Sequence, residues 1–246
     1  MFKPWLKNLI KTKLPETAVF RLSAYDHLLR GEPELRLLPY LCDAAKNAVD
    51  IGANIGSYSY FMRKYARHVY AYEPHPELAG RLVRLLPSVT VRCAAVSDGR
   101  QKTLILRVPI RNGHQNHELA SVEIDYRRWE EVKEYVVPCV CIDDEDIDNV
   151  GLIKIDVEQH EISALRGAMK KIRDFRPSII TEINMPIYRK ELPDAFDFVI
   201  NESYVGYIRI GRKFMPLSDF RSSIHSEDIA NNMILLPKET NADFLQ

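Results

Sequence analysis

The stretch Val49-Asp50-Ile51-Gly52-Ala53-Asn54-Ile55-Gly56 decides how this chain folds. A short apolar run breaks at Gly52, and an amphipathic stretch begins at Gly56, so the segment reads as a strand-to-helix junction. Glycine there lets the chain turn sharply and lets a ligand approach the backbone, at the helix end that favours negative groups. The dinucleotide fingerprint G-x-G-x-x-G would need glycine at 52, 54 and 57, whereas the chain carries Gly52, Asn54 and Ser57. An acid two residues before G-x-N-x-G is a different loop.

Outward from this junction, short apolar runs alternate with amphipathic stretches. The pattern predicts a strand over 48–51, a helix over 56–66, a strand over 68–72 and a helix from Pro76 to about Leu86. A third strand follows over 89–96, then an extra strand over 102–108 and another over 135–142. Between those two, residues 110–131 hold Gly113, His114, Asn116 and His117 with little periodicity, and are expected to form a functional loop or lid. The alternation resumes with a strand over 152–157, a helix over 160–173, a strand over 178–183 and a helix near 195–201. The last strands are expected over 204–210 and 233–236. The expected fold is therefore α/β and Rossmann-like: a mostly parallel, seven-stranded sheet with helices on both faces and extra strands. No repeat or linker divides it, so residues 41–246 read as one domain behind an N-terminal segment of residues 1–40.

The chain has 246 residues, enough to bury a sizeable core. Its 34 Lys and Arg balance 34 Asp and Glu. Zero net charge removes the broad attraction that non-specific nucleic-acid binding needs, so no nucleic-acid partner is expected. No apolar run reaches the roughly 20 residues of a membrane span, and no secretory signal is read at the start. Cys42, Cys93, Cys139 and Cys141 have neither disulfide-type nor zinc-type spacing, which fits a reducing cytoplasm. Before Glu16 the chain carries Lys3, Lys7, Lys11 and Lys13 with no acid, and Phe2, Leu6, Leu9 and Ile10 fall near helical spacing. A basic amphipathic helix of this kind over residues 1–14 could lie on an anionic membrane surface. Packing on the sheet edge or substrate cleft is the preferred reading of so short a segment.

Glu73 ends the second strand, 23 residues after Asp50. A carboxylate there can accept hydrogen bonds from both hydroxyls of a ribose. In the run Lys154-Ile155-Asp156-Val157-Glu158-Gln159-His160-Glu161, two charged residues interrupt a strand that should be wholly apolar. Lys154 and Asp156 therefore need partners or a purpose, and they lie toward the carboxyl end of the sheet, where such folds place ligands. His160 falls at a predicted helix start, which favours the neutral imidazole and suits it to accept a proton. The structural alternative is a Lys154–carboxylate pair with His160 as a polar cap. Asp156, Glu182 and Asn184 end adjacent strands and could hold a divalent cation, although pairing with Lys154 uses the same groups. Tyr58 and Tyr72 could present aromatic faces to a cation, with core packing preferred for each.

The loop of residues 50–56 resembles the first motif of S-adenosylmethionine-dependent methyltransferases. The resemblance extends to Tyr72-Glu73-Pro74, to Lys154-Ile155-Asp156-Val157-Glu158-x-His160-Glu161 with Leu165-Arg166-Gly167-Ala168, to Thr181-Glu182-Ile183-Asn184 and to Ile234-Leu235-Leu236-Pro237. In this order and spacing the set is similar to the FkbM family of methyltransferases, over about residues 48–237. The resemblance implies a class I methyltransferase fold and S-adenosylmethionine as cofactor, with S-adenosylhomocysteine as product. It also implies O-methylation of hydroxyls on sugars, glycolipids or natural products. The cofactor residues would be Asp50, Gly52, Ala53, Asn54, Ile55, Gly56, Tyr58, Glu73, Pro74, Ala95 and Asp156. For catalysis, His160 is the expected base, with Asp156 as orienter or alternative base and Glu182 beside it. The family usually places glycine where this chain has Gln159, so the turn carrying His160 departs from the pattern. Two other readings compete: a nicotinamide-dependent oxidoreductase, and a non-catalytic cofactor-binding module.

Overall fold

A computed structural model describes residues 14–124, 126, 129, 131–182, 196–211, 213–219 and 229–245, without the side chains of residues 118, 229 and 230. The basic segment over 1–13, Ile183, Asn184 and the rest of 185–195 lie outside the described residues. Strands β1 (Asn47–Ile51), β2 (Val69–Tyr72) and β3 (Thr90–Arg92) are followed by β4 (Ala95–Val96), β5 (Thr103–Arg111), β6 (His114–Gln115) and β7 (Glu131–Val140). Then come β8 (Val150–Ile155), β9 (Ser178–Glu182), β10 (Tyr204–Ile210), β11 (Lys213–Pro216) and β12 (Ile229–Pro237). The main sheet runs β11-β10-β12-β9-β8-β1-β2-β3. Its strands from β3 to β9 are parallel, and β12, β10 and β11 complete it with antiparallel pairings.

Every residue of β1 and of β8 is buried, as expected of central strands covered on both faces. Helices α1 (Glu16–Arg30), α2 (Leu38–Leu41), α3 (Ser57–Met62) and α4 (Pro76–Leu85) cover one face, through Phe20, Leu38, Phe61 and Leu82 among others. Helices α5 (Glu161–Arg166), α6 (Met169–Phe175) and α7 (Asp197–Ile200) cover the other, through Leu165, Ile172 and Val199. Strand β1 has β2 on one side and β8 on the other, and the connections leave it in opposite directions. Crevices for ligands open at the carboxyl ends of strands at such a switch point.

The main sheet has eight strands where seven were expected. The antiparallel partner of β10 over 213–216 has little apolar alternation to announce it. The strand expected over 89–96 is two: β3 pairs with β2, but after Cys93 and Ala94 the chain leaves for a second sheet, ordered β4-β7-β5-β6. The helix expected over 160–173 breaks at Gly167, where a Cβ would lie 2.0 Å from the Ser97 carbonyl oxygen. That backbone contact leaves α5 only six residues long, so the helix-dipole influence expected on His160 is small. Among the described residues no helix is long and apolar enough to cross a membrane.

Candidate active site

The loop after β1 is held by backbone hydrogen bonds from Gly52 and Ala53 to the Tyr72 carbonyl, at 2.9 and 3.1 Å. Gly52 has a φ of +76°, and a Cβ there would meet the Asp156 carbonyl oxygen at 1.8 Å. Glycine is required at that point both for its angle and for the close approach of the strand-end backbone. Glu73 faces the loop and closes it: one carboxylate oxygen accepts the Asn54 N–H at 2.7 Å and the other accepts the His75 N–H at 2.8 Å. Burial pushes the Glu73 carboxyl up to about 7, against the opposing pull of these two amides and of Lys154.

Beneath the loop, Lys154 gathers the charges of the strand ends into one cluster. Its ammonium donates to the Gly52 carbonyl at 3.1 Å and to Asp156 Oδ2 at 3.2 Å, lies 3.7 Å from Asp50 Oδ1, and sits 5.0 Å from the centre of the Tyr58 ring. Burial opposes its charge, but Asp156, Asp50 and Glu32 outweigh burial and hold its pKa above the ordinary value. Asp50 is fully buried, accepts the Ser59 hydroxyl at 2.5 Å, and is raised by burial despite Lys154. The Tyr58 hydroxyl donates to Glu32 at 2.8 Å. Asp50 and Tyr58 thus support the loop from below and do not line the crevice, and neither do Ala53, Ile55 and Gly56.

After β8 the chain turns through Glu158 and Gln159, both left-handed, with φ of +50° and +77°. Gln159 therefore keeps a turn of the kind glycine would make. The buried Glu161 carboxylate holds this turn by accepting the N–H groups of Val157 and Gln159 at 3.3 and 3.1 Å. Asp156, Glu158 and Glu182 each bring a carboxylate oxygen within 4.8 Å of the others. Burial, then repulsion from Asp156 and Glu158, pushes Glu182 up to about 9, so it carries a proton at neutral pH. Proximity of carboxylates does not by itself make a cation site.

His160 is buried, and both of its ring nitrogens are engaged. Nδ1 lies 2.5 Å from Glu123 Oε1, and Nε2 lies 2.9 Å from Ser97 Oγ. A carboxylate accepts, so a proton on Nδ1 matches Glu123, and in that tautomer Nε2 faces the Ser97 hydroxyl as an acceptor. Neither partner is visible from sequence, since they stand 37 and 63 residues away; the aperiodic run over 110–131 pointed only to the region of Glu123.

Gly52, Asn54, Glu73, Pro74, Ala95, Asp156 and His160 line one crevice, joined by Glu158 and by Leu106, His117, Ala120 and Val122 from the inserted strands and loop. The crevice encloses about 60 Å³. Glu73, Asp156 and Glu158 are its charged lining, with no Lys or Arg among the described residues. Val122 and His160 also border a second, more polar groove of about 570 Å³, shared with Ser97, Gln101, Thr103 and Arg107. The lining fits the adenosyl cofactor: a carboxylate for the ribose hydroxyls, the Gly52 and Asn54 edge of the loop for the amino-acid end, acids around a cationic centre, and an apolar slot for a flat ring. Among the described residues it offers no Lys or Arg to a dinucleotide's diphosphate.

No curated protein is found to match this chain. Solved structures with a similar course of the chain include methyltransferase FkbM from Methylobacillus flagellatus KT, at 18% identity and a TM-score of 0.48, over 94% of this chain and 58% of that one. SMU.1697c from Streptococcus mutans, in complex with SAH, matches at 11% identity and 0.44, over 83% of this chain and 96% of that one. An rRNA methylase from Streptococcus thermophilus matches at 14% and 0.42, over 84% and 94%. None is near enough to carry an inference about substrate, and the chain spans only 58% of the length of the first. The model of the methyltransferase FkbM domain matches residues 50–208, from the acid of the glycine loop to the middle of β10, and the chain belongs to that methyltransferase family.

Proposed function

We propose that this protein is an S-adenosylmethionine-dependent O-methyltransferase acting on a hydroxyl of a saccharide, glycolipid or related natural product. The observation that carries the cofactor assignment is the anionic crevice, lined by Glu73, Asp156 and Glu158 and by no Lys or Arg among the described residues. The cofactor supplies a methyl group on a positively charged sulfur, ready for displacement by a nucleophile.

The residues divide the remaining work. Glu73 holds the ribose hydroxyls, the Gly52 and Asn54 edge of the loop borders the amino-acid end, and Pro74 and Ala95 flank the base. An aliphatic hydroxyl is a poor nucleophile, so a base must take its proton as the new bond forms. His160 takes this role in the proposal, supported by its Nδ1 contact with Glu123, which would stabilise the imidazolium that forms. Its Nε2 then accepts a proton either from the acceptor hydroxyl or through Ser97. Asp156, oriented by Lys154, is the alternative base, while Glu182, pushed up to about 9, is better suited to give a proton than to take one near neutral pH. Much of the acceleration comes from alignment of the reacting atoms.

Calorimetric titration with S-adenosylhomocysteine, beside NAD and NADP, tests the cofactor. Micromolar binding of S-adenosylhomocysteine alone supports it, and preference for a dinucleotide restores the oxidoreductase reading. His160→Ala tests the base: cofactor affinity should be nearly unchanged while turnover falls on the order of a hundredfold or more. Full activity in that variant would transfer the role to Asp156.

A further inference from the structure

Beyond Glu73 the crevice wall turns apolar, formed by Pro74, Leu78, Ala94, Leu106, Ala120 and Val122. One polar side chain interrupts that wall: His117, from the insertion between β6 and β7. Its Nδ1 is buried and has no hydrogen-bond partner among the described residues. Leaving a buried nitrogen without a partner is unfavourable, so such an atom beside a cavity marks where a ligand's polar group belongs.

The surroundings hold His117 in place without satisfying it. Its ring stands edge-to-face on the fully buried His75 ring, at 4.5 Å and 85°. His75 in turn donates from Nε2 to Gln115 Oε1 at 3.0 Å, and the same oxygen accepts the Tyr135 hydroxyl at 2.9 Å. Farther along the insertion, the Ser121 hydroxyl donates to the Glu158 carbonyl at 2.6 Å. His117 is thus fixed at both flanks of its segment. Burial, then the neighbouring His75, lowers its pKa and keeps the ring neutral. A neutral imidazole Nδ1 donates or accepts according to its tautomer, so it can meet one of the two groups on an aminopurine edge, the amino donor or the adjacent ring-nitrogen acceptor.

We propose that His117 reads the amino edge of the cofactor's adenine ring, so that the insertion carrying it selects the base. This rests on the assignment of an adenosyl cofactor to the crevice. Replacing the adenine by hypoxanthine turns the amino donor into a carbonyl and the adjacent acceptor into a donor. With Nδ1 as acceptor the exchange removes the amino donor it meets, and with Nδ1–H as donor it removes the ring-nitrogen acceptor.

The test compares calorimetric affinities for S-adenosylhomocysteine and S-inosylhomocysteine in the wild-type protein, His117→Phe and His117→Gln. Phenylalanine keeps the ring contact with His75 and removes both nitrogens; glutamine keeps a donor and an acceptor. The wild type should prefer the adenine compound about tenfold or more. In His117→Phe the preference should shrink to about threefold or less, mainly through weaker binding of the adenine compound, and His117→Gln should restore part of it. Undiminished preference in both variants, or no preference in the wild type, would overturn the role of His117 while leaving the cofactor assignment standing. Binding of neither compound by the wild type would overturn the cofactor assignment itself and this role with it.

Discussion

Glu73 should make cofactor binding pH-dependent across neutrality. Burial pushes its carboxyl up to about 7, although two backbone amides already point at it. The ribose hydroxyls are donors, and they are best received by the ionised carboxylate, so a bound nucleoside must lower the pKa from that value. A site protonated in the free protein and ionised in the complex expels a proton on binding. Affinity therefore rises with pH up to about 7 and levels off above it. Between pH 8 and pH 6 the dissociation constant of S-adenosylhomocysteine should weaken by about tenfold, with close to one proton released per molecule bound at pH 6. Calorimetry in two buffers of different ionisation heat measures both quantities. Glu73→Gln should bind more weakly by roughly tenfold or more at pH 8, the loss of one or two charge-assisted hydrogen bonds, and should have lost the slope and the released proton. An affinity that is flat from pH 6 to 8 in the wild type, or that tightens on acidification, would refute this account of Glu73.

Two further outcomes concern stability. Lys154→Met removes the cation beside the fully buried Asp50 and should destabilise the protein by about 3–5 kcal/mol in urea titration at pH 7; a loss below about 1 kcal/mol would mean that Asp50 does not depend on that charge. Gln159→Gly places the residue suited to a φ of +77° and should stabilise the fold by about 0.5–1 kcal/mol, read as a rise in the urea midpoint; a fall would show that the Gln159 side chain is needed.

The parallel half of the sheet was legible because its strands obey local rules. The run over 48–51 is apolar and bounded by glycine, and Glu73-Pro74 stops the next strand. Lys154 and Asp156 announced themselves as charges in a strand that should have none, and the structure joins them through one ammonium. What the sequence concealed depends on contacts between distant residues. The split of residues 89–96 follows from β4 pairing with β7, more than 40 residues later, which local periodicity cannot foresee. The break at Gly167 follows from the approach of the Ser97 backbone. The contacts of Asp50 with Lys154 and of Tyr58 with Glu32 join residues far apart in the chain, which no local pattern announces. Glu123 and Ser97 escaped notice because a histidine's partners are chosen by the fold.

The most direct test of the whole account is to find where the methyl group goes. The protein would be incubated with S-adenosylmethionine labelled at the methyl carbon, together with saccharide, glycolipid and RNA fractions, and the labelled product analysed by NMR and mass spectrometry. Label recovered as an O-methyl ether on a sugar-bearing acceptor is the predicted result. Label recovered on a nucleobase nitrogen or carbon, with the sugar fractions unlabelled, would contradict it.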